Sequence, residues 1–476
     1  MSTIIQKFGG TSVDSLIDGR KTDLVDVANA ERERGTQTIV VLSAFSKVTN
    51  ALLEVIRRIQ TLLDSGQSAS AECNCDAEIH AVQEIFRGRL ARLKLPDDRR
   101  TELIAEVDAL AEERVGGVFN AIGFLSRGNR DYIVPSKQLI ESSLIDIGES
   151  VSIRAAHARA QLAGIPSRYL DLHDSNAHTP EELRDNIRRS LAGIRSEELL
   201  FLSGYPVPQW DRGYSDPTAA IVAETAGAEA LEIWKDDTDG IRSSDPSKIK
   251  GETSFVPHLS YREAGELCDR GKMKAINAYA VPIVQRAGIP VRVRYTKDPG
   301  HEGTLIDGDV DGQTGVVKCV IGREDVPVIT VQSPEMGGTR GYAQGVLDII
   351  AKKGYNVLCL GDDMNSLTVA VDKGRSEITP EQLVQCLRDE RQGNGITVQR
   401  RALITCVGAG STTTRNMGRA YMALAAAGVN HAVSSHSEVG MSVAFIVEKD
   451  KYADALNALH NALIRERVGE AKAMEL

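Results

Sequence analysis

The sequence has little of what a membrane protein or a nucleic-acid-binding protein requires. In its 476 residues no apolar stretch approaches the ~18 residues of a membrane-spanning helix. Acidic residues outnumber basic ones by 66 to 56, and the net charge of −10 disfavours nucleic acid as a partner, because phosphate binding needs a basic surface. Since Met1 leads into a strand pattern rather than a signal peptide, we expect a cytoplasmic protein without membrane or nucleic-acid partners.

Cysteine is also used without a pattern that would indicate a structural role. The seven cysteines are odd in number and show no repeated spacing, so reduced thiols are the simplest interpretation. Cys73 and Cys75 could form a metal pair, but no second pair stands at zinc-site spacing and only His80 lies nearby. The sequence therefore predicts no metal ion held by protein ligands.

The most informative pattern lies in the first dozen residues. A short apolar strand from Ile4 leads into Lys7, Gly9 and Gly10, and the pattern predicts an amphipathic helix from about Arg20. Adjacent glycines let backbone N–H groups approach an anion, and a lysine adds a compact positive charge. The spacing differs from both the P-loop and the dinucleotide-binding fingerprint. It indicates a phosphate cradle or, alternatively, only a tight turn between strand and helix.

Polar residues follow other strand patterns further along the chain. The apolar run 39–42 leads into the hydroxyl-rich stretch 43–50, in which Thr49 could bind a ligand or cap the next helix. Glu149 stands in the first turn of an alanine-rich helix, where its carboxylate could stabilise the helix dipole or face a ligand ammonium group. The strand 199–202 precedes a long turn that ends in the sequence Arg-Gly-Tyr-Ser-Asp at residues 212–216.

The order of these elements predicts the architecture. Strands alternate with helices from residue 4 to about residue 305, which indicates a layered α/β domain. After residue 303, with strands predicted at 316–321 and 326–331, the order strand, helix, strand, strand, helix occurs twice. Two such copies of about 70 residues form an internal repeat of ferredoxin-like units. Units of this kind suit ligand sensing and assembly into oligomers.

Taken together in chain order, several stretches resemble the aspartokinases of the amino acid kinase superfamily. The resemblance covers the whole chain and is carried by residues 7–13, 43–50, 148–149, 212–216 and 234–246. It implies an amino-acid-kinase-type α/β/α domain at residues 1–305, followed by two ferredoxin-like ACT modules. Residues 325–395 would form the first module, and residues 315–324 with 396–476 the second.

The resemblance also implies an activity, namely transfer of a phosphoryl group from Mg²⁺-bound ATP to the side-chain carboxylate of L-aspartate. It implies catalytic roles for Lys7 and Asp216. It assigns substrate binding to Ser43, Thr49, Glu149, Arg212 and Ser215. It assigns nucleotide binding to Lys7, Gly9, Gly10, Asp236, Asp237, Gly240, Arg242 and Lys274, with Lys272 as the alternative to Lys274.

The residue chemistry is consistent with that assignment. A ligand with an ammonium group and two carboxylates needs an anion, a bidentate cation and a polar donor, which Glu149, Arg212 and Thr49 can supply. A free carboxylate has a pKa near ~4, so the nucleophile is ionised at neutral pH and needs no general base. Catalysis would then consist mostly of positioning and of electrostatic stabilisation.

Some residues depart from the aspartokinase pattern. Tyr214 replaces a glycine, Pro217 stands where an aromatic residue is usual, and the segment around Lys235 has one extra residue. Arg242 also replaces a common tyrosine, which leaves the contacts on the adenine side open.

The ACT modules carry a predicted effector loop with Met336, Gly341 and Tyr342. Lysine-inhibited relatives place an aspartate where this chain has Leu358, so we expect altered control and a possible role in a side branch such as ectoine synthesis. We also expect a homo-oligomer, a dimer or a dimer of dimers, assembled through these modules. The alternatives are another carboxylate kinase of the superfamily, such as a glutamate or acetylglutamate kinase, and a non-catalytic amino acid sensor.

Overall fold

A computed structural model shows how the chain folds. It describes residues 2–64, 75–125, 140–141, 143–175, 177, 179–195, 197–205, 214–271, 275–308, 315–374, 376–391, 395–436 and 440–465. The chain divides into two compact units, of which the first comprises residues 1–240 and 275–308 and the second residues 241–274 and 309–476. Residues 241–274 thus pack within the second unit, although the sequence pattern groups them with the kinase-type domain.

The regular elements alternate along the chain. The strands are β1 Thr3–Phe8, β2 Gln37–Leu42, β3 Ser167–Leu170, β4 Leu199–Ser203, β5 Ala230–Lys235, β6 Ile241–Arg242, β7 Phe255–Val256, β8 His258–Ser260, β9 Val291–Tyr295, β10 Thr304–Asp307, β11 Cys319–Gln332, β12 Asn356–Asp362, β13 Ser366–Asp372, β14 Gly395–Val407, β15 His431–His436 and β16 Ser442–Glu448. The helices are α1 Gly10–Val13, α2 Leu24–Glu33, α3 Val48–Asp64, α4 Asp76–Leu90, α5 Asp97–Leu125, α6 Ile147–Leu162, α7 Pro180–Leu191, α8 Ser215–Ala226, α9 Tyr261–Gly271, α10 Val281–Ala287, α11 Tyr342–Lys352, α12 Pro380–Arg391, α13 Thr414–Ala426 and α14 Tyr452–His460. A π-helical turn, Asn461–Arg465, continues α14.

The first unit is organised around one sheet in which its strands lie in the order β3-β4-β2-β1-β5-β9-β10. Neighbouring strands are parallel except for β9 and β10. Strands β1, β2 and β4 consist mostly of buried residues, as expected for strands covered by helices on both faces. Because the parallel strands end at the same edge, the loops that follow them meet there, which is where α/β folds bind ligands.

The segment after β1 differs from its sequence-based prediction. The first helix is short and begins at Gly10, and the next begins at Leu24 rather than near Arg20. Asp23 determines this start because its carboxylate accepts hydrogen bonds from the N–H groups of Val25 and Asp26. The Asp26 carboxylate accepts the N–H of Asp23 in return, which completes a capping box.

The second unit contains an antiparallel sheet in the order β12-β13-β11-β14-β16-β15. The prediction of separate strands at 316–321 and 326–331 is wrong, because β11 is one long strand whose register shifts between Arg323 and Val326. Helices α11 and α12 pack on one apolar core, and α13 and α14 on another. The predicted α/β fold class is thus confirmed.

Candidate active site

A buried ion pair lies at the carboxyl edge of the parallel sheet. Lys7 is at the end of β1 and Asp216 is in the first turn of α8, and Lys7 Nζ lies 2.5 Å from Asp216 Oδ1. The N–H of Asn277 donates a 2.9 Å hydrogen bond to the other carboxylate oxygen. Burial alone would raise the pKa of Asp216, but the charges of Lys7 and Lys235 outweigh it and hold that pKa below its usual value. Asp216 is therefore ionised and holds the ammonium group of Lys7 in place.

The glycine loop after β1 is closely packed against the loop after β2. A Cβ atom on Gly10 would lie only 2.7 Å from the carbonyl oxygen of Ala44, whereas one on Gly9 would meet nothing closer than Lys7 Nζ at 3.8 Å. Gly10 is the first residue of α1, and glycine at this position allows close packing beside Lys7. The N–H groups of Ser12 and Val13 donate to the carbonyl oxygen of Gly9 at 2.8 and 2.9 Å, and the N–H of Gly9 donates to the carbonyl oxygen of Trp234 at 3.4 Å.

The loop after β2 holds the predicted substrate residues Ser43 and Thr49. The N–H of Ser43 donates to the carbonyl oxygen of Phe8 at 3.1 Å, which joins the ends of β2 and β1. The N–H of Ser46 donates to Asp14 Oδ1 at 3.1 Å, which fixes the middle of the loop. Thr49 is half-buried in the first turn of α3 and does not cap that helix, because α3 already begins at Val48.

Glu149 is a buried carboxyl group at the start of α6. Gly148 allows this helix to approach the β2 loop, because a Cβ there would lie 2.7 Å from Cβ of Ala44. Burial raises the pKa of Glu149 to about 8, although the nearby charge of Lys7 opposes the shift. Oε2 of Glu149 is buried and accepts no hydrogen bond from the described residues. A buried acceptor of this kind is suited to an ammonium group brought by a ligand.

Gly204, which follows β4, completes the surroundings of this carboxyl group. A Cβ atom on Gly204 would lie 2.5 Å from Cβ of Ser215 and 3.1 Å from Oε2 of Glu149. Glycine is thus required for the end of β4, the start of α8 and the start of α6 to meet. The structure brings together Lys7, Glu149, Ser215 and Asp216 at this edge of the sheet.

The predicted nucleotide residues after β5 are held by ion pairs and turns. Asp236 pairs with Arg20 at 2.8 Å and with Lys297 at 3.1 Å. Asp237 is exposed, and Gly240 adopts a φ of +150° in a turn closed by hydrogen bonds with Thr238. Asp236 is therefore already neutralised by cations and acts here as an anchor for the loop.

Other predicted residues lie elsewhere. Arg242 falls in the second unit, where it donates to the carbonyl oxygen of Thr253 at 3.1 Å. Arg212, Lys272 and Lys274 lie outside the described residues.

The unusual residues beside Asp216 are accommodated by local structure. Tyr214 stacks on Tyr279, with ring centroids 5.9 Å apart and an interplanar angle of 19°. Pro217 lies in the first turn of α8, where a helix needs no backbone N–H donor from it.

Sequence reasoning missed three groups that shape the site, namely the amide of Asn277, the charge of Lys235 and the close approach at Gly204. A glycine directly after the buried strand β4 is a signal that could have been read. The amide of Asn277 carries no such signal, because any residue supplies the same backbone donor.

The predicted effector residues lie in the second unit. Gly341 has a φ of +74° and precedes α11, while Tyr342 and Met336 pack against the apolar core of that helix. Leu358 is 3% exposed and packs among apolar side chains that include Cys359 and Ala370. The side chain at position 358 therefore lies in an apolar environment.

The described residues were also searched for metal clusters and membrane spans. They contain no group of three or more histidine, cysteine or acidic side chains that could hold a metal ion. Among these same residues, no helix is both long enough and apolar enough to cross a bilayer.

Comparison with known proteins identifies similar sequences and folds. A model of the amino acid kinase family matches residues 2–295. The chain is 25% identical to aspartate kinase Ask_Ect of Stutzerimonas stutzeri, with 97% of each chain covered, and 24% identical to chloroplastic aspartokinase 3 of Arabidopsis thaliana, with 98% of this chain and 83% of the relative covered. The crystal structure of E. coli aspartokinase III in complex with aspartate and ADP superposes with a TM-score of 0.73 at 21% identity, covering 97% of this chain and 100% of that one. That similarity shows a common fold.

Proposed function

The chain belongs to the amino acid kinase family, and on that premise we propose that it phosphorylates the side-chain carboxylate of L-aspartate with ATP, yielding 4-phospho-L-aspartate and ADP. The observation that carries the proposal is the buried Lys7–Asp216 ion pair at the same sheet edge as the buried Glu149. The two relatives described above match almost the whole chain, and both are named as aspartate kinases. Their names support the same activity.

Aspartate would be recognised by its charges. Its α-ammonium group would donate to Oε2 of Glu149, the buried acceptor without a described partner. Arg212 would bind a carboxylate in a bidentate manner, since a guanidinium group presents two parallel donors. Ser43, Thr49 and Ser215 would add hydroxyl donors. Ser43 directly follows β2, Thr49 lies in the first turn of α3, and Ser215 is the first residue of α8.

The reaction then requires little proton transfer. A side-chain carboxylate oxygen attacks the γ-phosphorus, a new P–O bond forms, and the bond between that phosphorus and the β–γ bridging oxygen breaks with release of ADP. The nucleophile is already ionised, because a free carboxylate has a pKa near ~4. Lys7 and the amide of Gly10 would stabilise the negative charge on the transferring group, and Asp216 holds Lys7 in position. Gly9, whose N–H donates to the carbonyl oxygen of Trp234, would let the phosphate approach closely because it has no side chain.

A Mg²⁺ ion would enter the site bound to the phosphates of ATP, as the aspartokinase resemblance implies. Asp216 and Asp236 are each paired with cations, and the described residues offer no acidic cluster that could replace the phosphates as ligands. When bound, Mg²⁺ neutralises the phosphate oxygens. Asp237 and Gly240, in the loop that Asp236 anchors, would bind the rest of the nucleotide.

We further propose that the second unit regulates the enzyme and mediates a cytoplasmic homo-oligomer. Met336, Gly341 and Tyr342 would form an effector loop, as the ACT resemblance implies. Leu358 and the apolar side chains around it cannot pair with a lysine ammonium group, which supports regulation that differs from inhibition by lysine. A product that enters a side branch such as ectoine synthesis is consistent with the name of the relative from S. stutzeri.

The test is aspartate-dependent ADP release by the purified full-length protein, with acyl phosphate trapped as hydroxamate. We expect product from aspartate, little from glutamate or acetylglutamate, and none from Lys7→Ala. Hydroxamate formed mainly from another carboxylate would overturn the substrate, and binding of amino acids without any ADP release would overturn the activity in favour of a sensor.

A further inference from the structure

The segment Ile241–Gly271 continues directly from the nucleotide loop, by which we mean residues Asp236–Gly240. The family model matches the chain through residue 295, yet residues 241–274 pack within the second unit. Several contacts that hold this segment come from elements beyond the matched region.

Three side chains from the end of the described chain hold the beginning of this segment. We call Asn457, His460 and Arg465 the C-terminal clasp. Asn457 Oδ1 accepts the N–H of Lys250 at 2.7 Å, and its Nδ2 reaches the carbonyl oxygen of Lys248 at 3.4 Å. Arg465 donates to the carbonyl oxygen of Lys250 at 3.1 Å, so the backbone of one residue is bound on both sides.

The clasp also holds the hairpin that contains Arg242. Strands β6 and β7 pair Arg242 with Phe255, and Ser243 closes the pair because its N–H donates to the carbonyl oxygen of Ser254 at 2.8 Å. The N–H of Ser254 donates to Ser243 Oγ at 2.9 Å, and the same oxygen lies 2.9 Å from His460 Nε2. The Ser243 hydroxyl can therefore donate a hydrogen bond to the imidazole of His460.

These hydrogen bonds lie in a buried environment. Ser243 is 1% exposed, His460 is fully buried and Asn457 is 9% exposed. Burial, assisted by the charge of Arg465, lowers the pKa of His460 to about 4, so the imidazole is neutral at physiological pH and one of its ring nitrogens can accept a hydrogen bond. Leaving a buried polar group without a hydrogen-bond partner costs more free energy than leaving an exposed one, so these buried hydrogen bonds hold the hairpin firmly.

Gly251 shows how closely the clasp fits the segment. Its φ is +110°, and a Cβ atom there would lie 2.0 Å from Arg465 Nη2. The guanidinium group thus occupies the space that a side chain at position 251 would need.

We propose that Asn457 and His460 are positioning residues for the nucleotide: by fixing residues 243–250, they set the path of the chain that emerges from the nucleotide loop. The inference rests on the proposed function, because it assumes that the loop binds ATP. Neither side chain is expected to touch the nucleotide or the aspartate. Their loss should therefore weaken nucleotide binding without changing the recognition of aspartate.

Asn457→Ala in the full-length protein tests this inference. The variant loses the hydrogen bonds of Asn457 to Lys250 and Lys248. We expect the KM for ATP, and the Kd for ADP measured by calorimetry, to rise about 5-fold, a change on the free-energy scale of one hydrogen bond. The KM for aspartate should stay unchanged. Asn457→Asp keeps the oxygen that accepts the Lys250 amide and should restore part of the affinity. His460→Ala, which removes the partner of the Ser243 hydroxyl, serves as a second variant should Asn457→Ala not fold, and it should raise the Kd for ADP in the same way.

The matched control is Asn416→Ala in the same unit. Asn416 Nδ2 donates to the carbonyl oxygens of Gly410 and Gly315 at 2.8 and 3.0 Å, so its loss also removes two side-chain hydrogen bonds to backbone, one half-buried and one exposed. A change in ADP affinity in Asn457→Ala no larger than in Asn416→Ala would overturn the inference, as would equal rises in both KM values. Loss of aspartate dependence in the wild-type protein would instead overturn the proposed substrate, while ADP binding would still test the clasp.

Discussion

Lys7 at the end of β1 and Asp216 in the first turn of α8 form a buried ion pair with 2.5 Å between Nζ and Oδ1. The two residues are far apart in the sequence of the first unit and meet because their loops share one edge of the sheet. Breaking one half of such a pair leaves an uncompensated charge in the interior, which is more costly than removing both halves.

The ion pair gives the first prediction. Lys7→Met and Asp216→Asn should each lower the free energy of unfolding by about 3 kcal/mol, whereas the double variant should lose less than the sum of the two. All three should lack kinase activity, because none has a lysine held at the phosphates. Denaturant unfolding provides the measurement, and strictly additive losses would contradict the proposed pairing.

The second prediction concerns stability and pH at Glu149. Its pKa is about 8 in the folded protein and 4.5 ordinarily, so between these values the folded chain holds a proton that the unfolded chain has released. The contribution of Glu149 to stability is thus fully present below pH 4.5 and lost as pH rises through 8. Glu149→Gln cannot ionise, so its thermal midpoint should rise relative to that of the wild type as the pH increases from 5 to 8. If the thermal midpoints of the two proteins change in parallel with pH, the raised pKa of Glu149 is contradicted.

The third prediction is proton release when aspartate binds. An ammonium group favours the ionised form of Glu149, so binding at pH 7 should release about one proton from that carboxyl group. Calorimetric titration with aspartate in buffers of different ionisation enthalpy measures this number. In Glu149→Gln the release should vanish together with most of the affinity. Equal release in the two proteins would assign the proton to another group.

The fourth prediction compares two adjacent glycines. Gly10→Ala would place a Cβ 2.7 Å from the carbonyl oxygen of Ala44 and should cost about 1–3 kcal/mol of stability along with most of kcat. Gly9→Ala meets only the end of Lys7, at 3.8 Å, and serves as the control with a small loss of stability. Equal unfolding midpoints for the two variants would show that the β1 and β2 loops are not as tightly packed as described.

The fifth prediction concerns feedback. Because Leu358 is buried among apolar side chains, lysine alone should leave aspartate-dependent ADP release nearly unchanged at millimolar concentration. Dose–response curves with lysine, threonine and both together provide the measurement. Strong inhibition by low lysine would contradict the expectation and place an ammonium-binding group elsewhere in the second unit.

Local sequence patterns drew attention to Lys7 with its glycines and to Glu149 at a helix start, because strand ends and helix starts carry local signals. Asp216 was singled out by the family resemblance rather than by a local pattern. The start of α2 was misplaced, since Asp23 and its capping box override the weak helical pattern from Arg20. The division of β11 was wrong because a register shift at Arg323 resembles a break in the sequence, whereas the strand continues.

By itself, the sequence determined the α/β class, the family resemblance and most of the charged residues of the site, because hydrophobic periodicity and turn chemistry are local properties. The tertiary structure alone decided which carboxyl group pairs with Lys7, how far burial shifts Glu149, and that residues 241–274 pack within the second unit. Pairing, desolvation and domain membership depend on which distant segments come into contact, and that information is distributed over the whole chain.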